Sequence, residues 1–182
     1  MPSLVGSEMC IRDSDEAAEV LREFAEEYPL GIEMGRFLAA SCGKYYTQVK
    51  DLKSTGDANY AILDGGIHHL NYFGQRMAMQ VPPISIYRAA GVEFTELPDT
   101  DYTLCGSLCT VADVLVREVK LKKLELGDVL EFGHCGAYSV TEAPALFLSR
   151  QLPAIYAYSK EYGYECLREH IPAAEINLAG KK

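Results

Sequence analysis

The strongest constraint in this sequence is a change of texture near Cys42: helical periodicity before it, and a succession of short apolar runs cut by glycine, proline and aspartate after it. In residues 15–28, Ala17, Val20, Leu21, Phe24 and Ala25 recur at helical spacing with acidic residues on the other face. Ser14 or Asp15 can cap this helix, and Pro29 stands beyond its end. Residues 30–33 read as a short buried strand ending in the Glu33 carboxylate, Gly35 as a turn, and residues 37–41 as the start of another helix. Helix, strand, turn and helix is the texture of a β/α barrel at its last unit. After Cys42, strands are expected at residues 45–52, 60–63, 84–87, 92–97, 101–105, 113–118 and 129–132, with a last one at 154–158. Residues 92–97 and 101–105 are expected to pair, and residues 142–150 to form a short helix. The expected fold class is α+β. A remnant of the last unit of a β/α barrel (15–41) precedes a mainly antiparallel β-sandwich or barrel domain (42–182).

Bulk properties exclude several function classes. The formal net charge is −9 and the lysines and arginines are dispersed, which argues against nucleic acid or an anionic membrane as partner. No apolar run approaches the roughly 20 residues of a membrane span, so a soluble chain is expected. The six cysteines (Cys10, Cys42, Cys105, Cys109, Cys135 and Cys166) are irregularly spaced, and the chain is large enough to need no disulfide staples. Reduced thiols in a cytoplasmic protein are the expectation. Cys105 and Cys109 make a CxxxC pair with no second pair and no HxxxH to follow, so no metal site is expected. His68 and His69, being adjacent, would point to opposite sides of an extended strand. That makes them a poor metal pair, and a solvated or hydrogen-bonded pair is expected instead.

Three segments carry residue types suited to chemistry. In Glu33-Met34-Gly35-Arg36 a carboxylate, a glycine turn and an arginine stand together at a strand's carboxyl end, where barrel enzymes build their sites. The arginine can pair with a phosphate, the glycine lets backbone approach it, and the carboxylate can accept from a ring nitrogen. An ion pair capping a helix would use the same residues. In residues 105–113 a cysteine within a turn of small residues can be exposed and reactive, or simply pack. In residues 133–138 two glycines permit an unusual backbone, and the Tyr138 hydroxyl can donate to a phosphate or pack as an ordinary aromatic.

The order and spacing of these segments resemble a known family. Glu33-Met34-Gly35-Arg36, then Asp64-Gly65-Gly66, then Cys109 with Asp113, then Gly127-Asp128 and Gly136-Ala137-Tyr138 are similar to the carboxy-terminal half of the ornithine/diaminopimelate/arginine decarboxylases. These are fold-type III enzymes that use pyridoxal 5′-phosphate, relatives of alanine racemase. The resemblance spans residues 15–157, and the Cys109 and Tyr138 settings fit the decarboxylase branch better than the racemase one.

The resemblance implies roles for particular residues. Glu33 would face the pyridine nitrogen of the cofactor. Arg36 would hold its phosphate with the backbone of Met34 and Gly35, and Tyr138 would contact phosphate or substrate. Cys109 would donate a proton to the substrate carbon after carbon dioxide departs, reaching across a homodimer interface so that active sites are shared. Thr110 stands where diaminopimelate and ornithine decarboxylases carry an acidic residue that reads the distal amino group, which makes it a weak candidate for a substrate contact and leaves the amino-acid substrate open. Met34 replaces the family's usual proline, and Arg76 lies further on than the arginine of diaminopimelate decarboxylases.

No lysine stands in the family's Tyr-x-x-Lys-Ala-like setting: Lys44 and Lys50 lie in the β region, Lys122 and Lys123 in a polar turn. The string in residues 1–14 resembles a translated adapter. The chain is therefore expected to be an amino-terminally truncated fragment, inactive alone for want of the cofactor lysine. The alternative is a non-catalytic β-domain that pairs with a full-length decarboxylase and regulates it.

Overall fold

After Cys42, alternation of buried and more exposed positions in residues 45–50 and 99–105 sets one face of these strands toward a common core, while residues 130–132 are buried in succession. The structure, a computed structural model, describes residues 14–29, 31, 35–71, 81–89 and 97–178. It opens with helix α1 (Ser14–Glu27), helix α2 (Gly35–Ala39) and a 3₁₀ turn (Ala40–Cys42). Then come β1 (Tyr45–Thr55), β2 (Ala58–Leu63), β3 (Ile84–Tyr87), β4 (Asp99–Cys105), β5 (Val114–Lys122) and β6 (Val129–Phe132). Shorter elements close the chain: β7 (Gln151–Leu152), β8 (Ile155–Ser159), β9 (Gly163–Arg168), β10 (Ile171–Pro172) and α3 (Ala173–Asn177).

The first six strands form one mixed sheet in the order β3-β6-β1-β2-β4-β5, curled into a half-barrel. The curl is visible in β1. Its residues from Tyr45 to Gln48 pair with β6, its residues from Val49 to Thr55 pair with β2, and a bulge between Val49 and Asp51 bends the strand where it changes partner. A two-residue turn joins β1 to β2, with Gly56 at φ +61°. Gly127, at φ +89°, makes the turn into β6 and donates its N–H to the Val49 carbonyl at 2.9 Å. Val49, Leu63, Leu70, Leu104, Leu115, Leu124, Leu130 and Phe132 fill the concave core.

Several expectations need correction. The sheet is not purely antiparallel, because β2 and β4 run parallel, from Asn59↔Tyr102 to Ile62↔Cys105. Residues 142–150 are not a helix: only a 3₁₀ turn, Phe147–Ser149, forms, with Leu148 and Ser149 left-handed. Pro144, which lacks an N–H and disfavours helix at the preceding residue, interrupts it. The strand at 155–159 is not the last, since β9 pairs with it and β10 follows. The expected strand at 92–97 falls outside the described residues except for Leu97, and β4 pairs with β2 and β5. The expected strand ending at Glu33 also lies outside them, apart from Gly31.

Candidate functional site

The 3₁₀ turn that follows helix α2 and the loop after β6 meet through backbone. The Gly136 N–H donates to the Ala40 carbonyl at 2.9 Å, and the Cys135 N–H donates to the Gly43 carbonyl at 2.9 Å. A Cβ on Gly136 would stand 2.0 Å from the Ala39 carbonyl oxygen and 2.6 Å from Cys42 Sγ. Glycine is required here for close approach. The unusual backbone that the two glycines were expected to permit includes two left-handed residues, but these are His134 (φ +56°) and Tyr138 (φ +63°). A non-glycine residue held left-handed costs free energy and is a feature of functional loops.

That loop brings Tyr138 over α2. The Arg36 guanidinium lies 5.0 Å from the centroid of the Tyr138 ring, Nη1 donates to the Ala137 carbonyl at 3.3 Å, and Nη2 lies 3.8 Å from a Glu142 carboxylate oxygen. A Cβ on Gly35 would meet the Tyr138 hydroxyl at 2.5 Å, so a hydroxyl and a glycine surface face each other beside a cation. Gly35, Arg36 and Tyr138 are thus brought together. Glu33 and Met34 lie outside the described residues.

Cys109 and Thr110 occupy a second loop, between β4 and β5, with the Cys109 thiol exposed. The buried Asp113 carboxylate organises it: Oδ2 accepts the Leu108 N–H at 2.7 Å and Oδ1 accepts the Ile67 N–H at 2.8 Å. Gly66 and Gly106 pack against the same carboxylate at distances that admit no side chain. Thr110 Oγ1 accepts the Ala112 N–H at 3.3 Å, a contact inside its own loop. Burial, with the Asp113 charge second, raises the pKa of Cys105 at the end of β4. Among the described residues, no group of three or more histidine, cysteine or acidic side chains is arranged to hold a metal ion.

The two histidines lie in a turn rather than a strand, their rings 3.9 Å apart, so they do not face opposite ways. His68 is buried with Nδ1 unpartnered, and burial lowers its pKa to about 4. His69 is hydrogen-bonded to Tyr45 and to the Gln151 carbonyl, and burial lowers its pKa as well. The roles of Asp113, His69 and Glu142 escaped sequence reasoning, because their partners are distant in sequence. Gly66 and Gly106, both ahead of Asp113, and its pairing with Cys109 in the motif order were the signals of its buried carboxylate.

Comparison with known proteins gives the family. Residues 13–136 match the model of the pyridoxal-dependent decarboxylase C-terminal sheet domain, so the chain belongs to the ornithine/diaminopimelate/arginine decarboxylase family through that domain. It is 36% identical over 139 residues to the 2-[(L-alanin-3-ylcarbamoyl)methyl]-2-hydroxybutanedioate decarboxylase of Staphylococcus aureus, covering 74% of this chain and 34% of that protein. It is 31% identical over 150 residues to the L-glutamyl-[BtrI acyl-carrier protein] decarboxylase of Niallia circulans, covering 80% of this chain and 34% of that protein. A crystal structure of a diaminopimelate decarboxylase superposes with a TM-score of 0.67 at 26% identity, covering 78% of this chain and 34% of that one. The chain spans about a third of the length of the curated relatives it matches.

Proposed function

We propose that this chain supplies one wall of the cofactor site of a pyridoxal-phosphate-dependent amino-acid decarboxylase, with residues 15–41 the end of the cofactor-binding barrel and residues 42–182 the β domain. The observation that carries the reading is the Arg36 guanidinium lying over Tyr138, with its Nη1 bonded to the Ala137 carbonyl and Gly35 at the tyrosine hydroxyl. A guanidinium, a phenol and a glycine surface free of side chain form a donor set that fits a phosphate. The bound cofactor supplies an electron sink for cleavage of the substrate's Cα–carboxylate bond.

This chain's residues then have distinct tasks. Arg36 and Tyr138 hold the phosphate, with backbone of Met34 and Gly35, and Glu33 accepts from the ring nitrogen to keep it protonated. Cys109, exposed on the loop built around Asp113, delivers its thiol proton to the substrate carbon in the active site of a second subunit of a homodimer. Thr110 beside it meets the far end of the substrate. A threonine has no charge to pair with a distal ammonium. Thr110 therefore favours a substrate other than a diamino acid, in keeping with relatives that act on a carrier-linked glutamyl group or a substituted hydroxybutanedioate.

The test uses a full-length enzyme containing this chain. Cys109→Ala is expected to keep the cofactor's absorbance while carbon dioxide release falls by about 10²-fold or more. Unchanged turnover overturns the role of the thiol. The 182-residue chain alone, given cofactor and a panel of amino acids, is expected to release no carbon dioxide, since it spans a third of its relatives and carries no lysine in the family's cofactor setting. Measurable release would contradict that.

A further inference from the structure

One short segment, residues 65–71, is hydrogen-bonded to both loops of the candidate site. Toward Cys109, the Gly65 carbonyl accepts the Ser107 N–H at 2.8 Å, and the Ile67 N–H donates to Asp113 Oδ1 at 2.8 Å. Toward Tyr138, the Asn71 N–H donates to the Ser139 carbonyl at 2.9 Å, and Asn71 Nδ2 donates to the Glu142 carbonyl at 3.2 Å.

Between these anchors the His69 ring is held at both nitrogens. Nε2 lies 2.7 Å from the Gln151 carbonyl, and Nδ1 lies 3.0 Å from the Tyr45 hydroxyl. A carbonyl can only accept, so Nε2 carries the proton and Nδ1 of the neutral ring accepts from Tyr45. The grip is close: a Cβ on Gly65 would stand 3.1 Å from His69 Nδ1 and still nearer the Tyr45 oxygen. Tyr45 belongs to β1 and Gln151 to β7, so one ring ties the segment to two separate elements. The Tyr45 ring also packs against Phe132 of the core at a centroid distance of 6.1 Å.

We propose that His69 is a positioning residue: clamped between Tyr45 and Gln151, it fixes residues 65–71 so that the Cys109 loop and the Tyr138 loop keep one relative placement. The proposal rests on reading those two loops as parts of shared decarboxylase sites, the Tyr138 loop in this chain's own site and the Cys109 loop in that of the second subunit. Nothing in it requires His69 to touch substrate or cofactor. When active sites are shared between two subunits, each chain has to hold its two contributions at a fixed separation, and a ring fixed by two hydrogen bonds supplies the support.

The test follows two readouts on the 182-residue chain, one from each loop. The first is the alkylation rate of Cys109 by iodoacetamide, resolved from the other thiols by peptide mapping. The second is the affinity for pyridoxine 5′-phosphate, which has the phosphate but no aldehyde to react with lysines. His69→Ala is expected to change the Cys109 rate several-fold and weaken the phosphate ligand about tenfold, with the circular dichroism spectrum retained. His69→Gln, which can keep the bond to the Gln151 carbonyl, is expected to recover part of both. A merely local packing role would move neither readout in the other loop, and Lys53→Ala is the control. Should His69→Ala fail to fold, Tyr45→Phe removes one hydroxyl and must shift both readouts in the same direction. A folded His69→Ala or Tyr45→Phe chain that leaves either readout at its original value overturns the clamp. Arg36→Gln separates the two levels: if it leaves the phosphate affinity intact, the reading of the site falls and the proposal with it. If it abolishes binding while His69→Ala has no effect, the clamp alone falls.

Discussion

Gly136 lies so close to Ala39 that a single added carbon on the glycine would stand 2.0 Å from the alanine's carbonyl oxygen. This contact is where the loop carrying Tyr138 seats against the helix carrying Arg36. Gly136→Ala forces backbone against backbone, and neither side can yield by a rotamer change. The expected cost is about 2–4 kcal/mol, reaching past the usual range of overpacking in a folded core. Urea denaturation measures it, and unchanged stability would mean the contact is not held in solution.

Asp113 supports the other loop, with two backbone N–H groups on its buried carboxylate and two glycines packed around it. Asp113→Ala strands both donors, for an expected loss of roughly 3–5 kcal/mol if the fold survives. Asp113→Asn keeps one carbonyl oxygen and is expected to lose about half as much. The same denaturation series reads both. Equal stability of the two variants would contradict the separate work assigned to the two carboxylate oxygens.

Much of this fold is legible in the sequence, and the reasons are specific. Strand β1 appears where alternation puts it, and β2, β3 and β6 where short apolar runs bounded by glycine, proline and aspartate put them, because a strand's buried side chains and its turns are both written locally. The parallel pairing of β2 with β4 was not legible, since nothing local to either strand encodes the direction of a neighbour some 40 residues away. The site divides in the same way. Arg36 and Tyr138 were named from motif order, and their stacking follows from a loop held by Gly136. His69 is hydrogen-bonded, one of the two states expected of the pair, but its partners were not legible, because Tyr45 and Gln151 stand 24 and 82 residues away.

His68 gives the chain a dependence on acidity. Burial lowers its pKa from 6.5 to about 4 in the folded chain. As pH falls below 6.5 the unfolded chain takes up a proton that the folded chain refuses until about pH 4. Its stabilising contribution is therefore full above 6.5 and is lost progressively toward pH 4, by up to roughly 3 kcal/mol. His68→Gln should flatten the stability profile across that window. A profile as steep as before would show that His68 is not the group responsible.

Glu131 acts lower on the pH scale. Lys44 Nζ lies 2.8 Å from its Oε1, and the Tyr46 and Tyr87 hydroxyls donate to its Oε2 at 2.7 and 2.9 Å. The hydrogen bond from Lys44, first among these, holds the carboxyl below its ordinary value. A depressed carboxyl stabilises the fold above its unfolded pKa and loses that contribution as pH falls through the folded one. Thermal melts below about pH 4.5 should therefore decline less steeply in Glu131→Gln than in the original chain. Parallel declines would contradict this assignment.

The most direct test of the site is a titration of the isotopically labelled chain with pyridoxine 5′-phosphate, followed residue by residue in ¹H–¹⁵N spectra. Saturable shifts are expected at Gly35, Arg36, Ala137 and Tyr138, absent in Arg36→Gln and weakened in Tyr138→Phe. Shifts that spare these residues, or that persist unchanged without the Arg36 guanidinium, would contradict the assignment of this surface to the cofactor's phosphate.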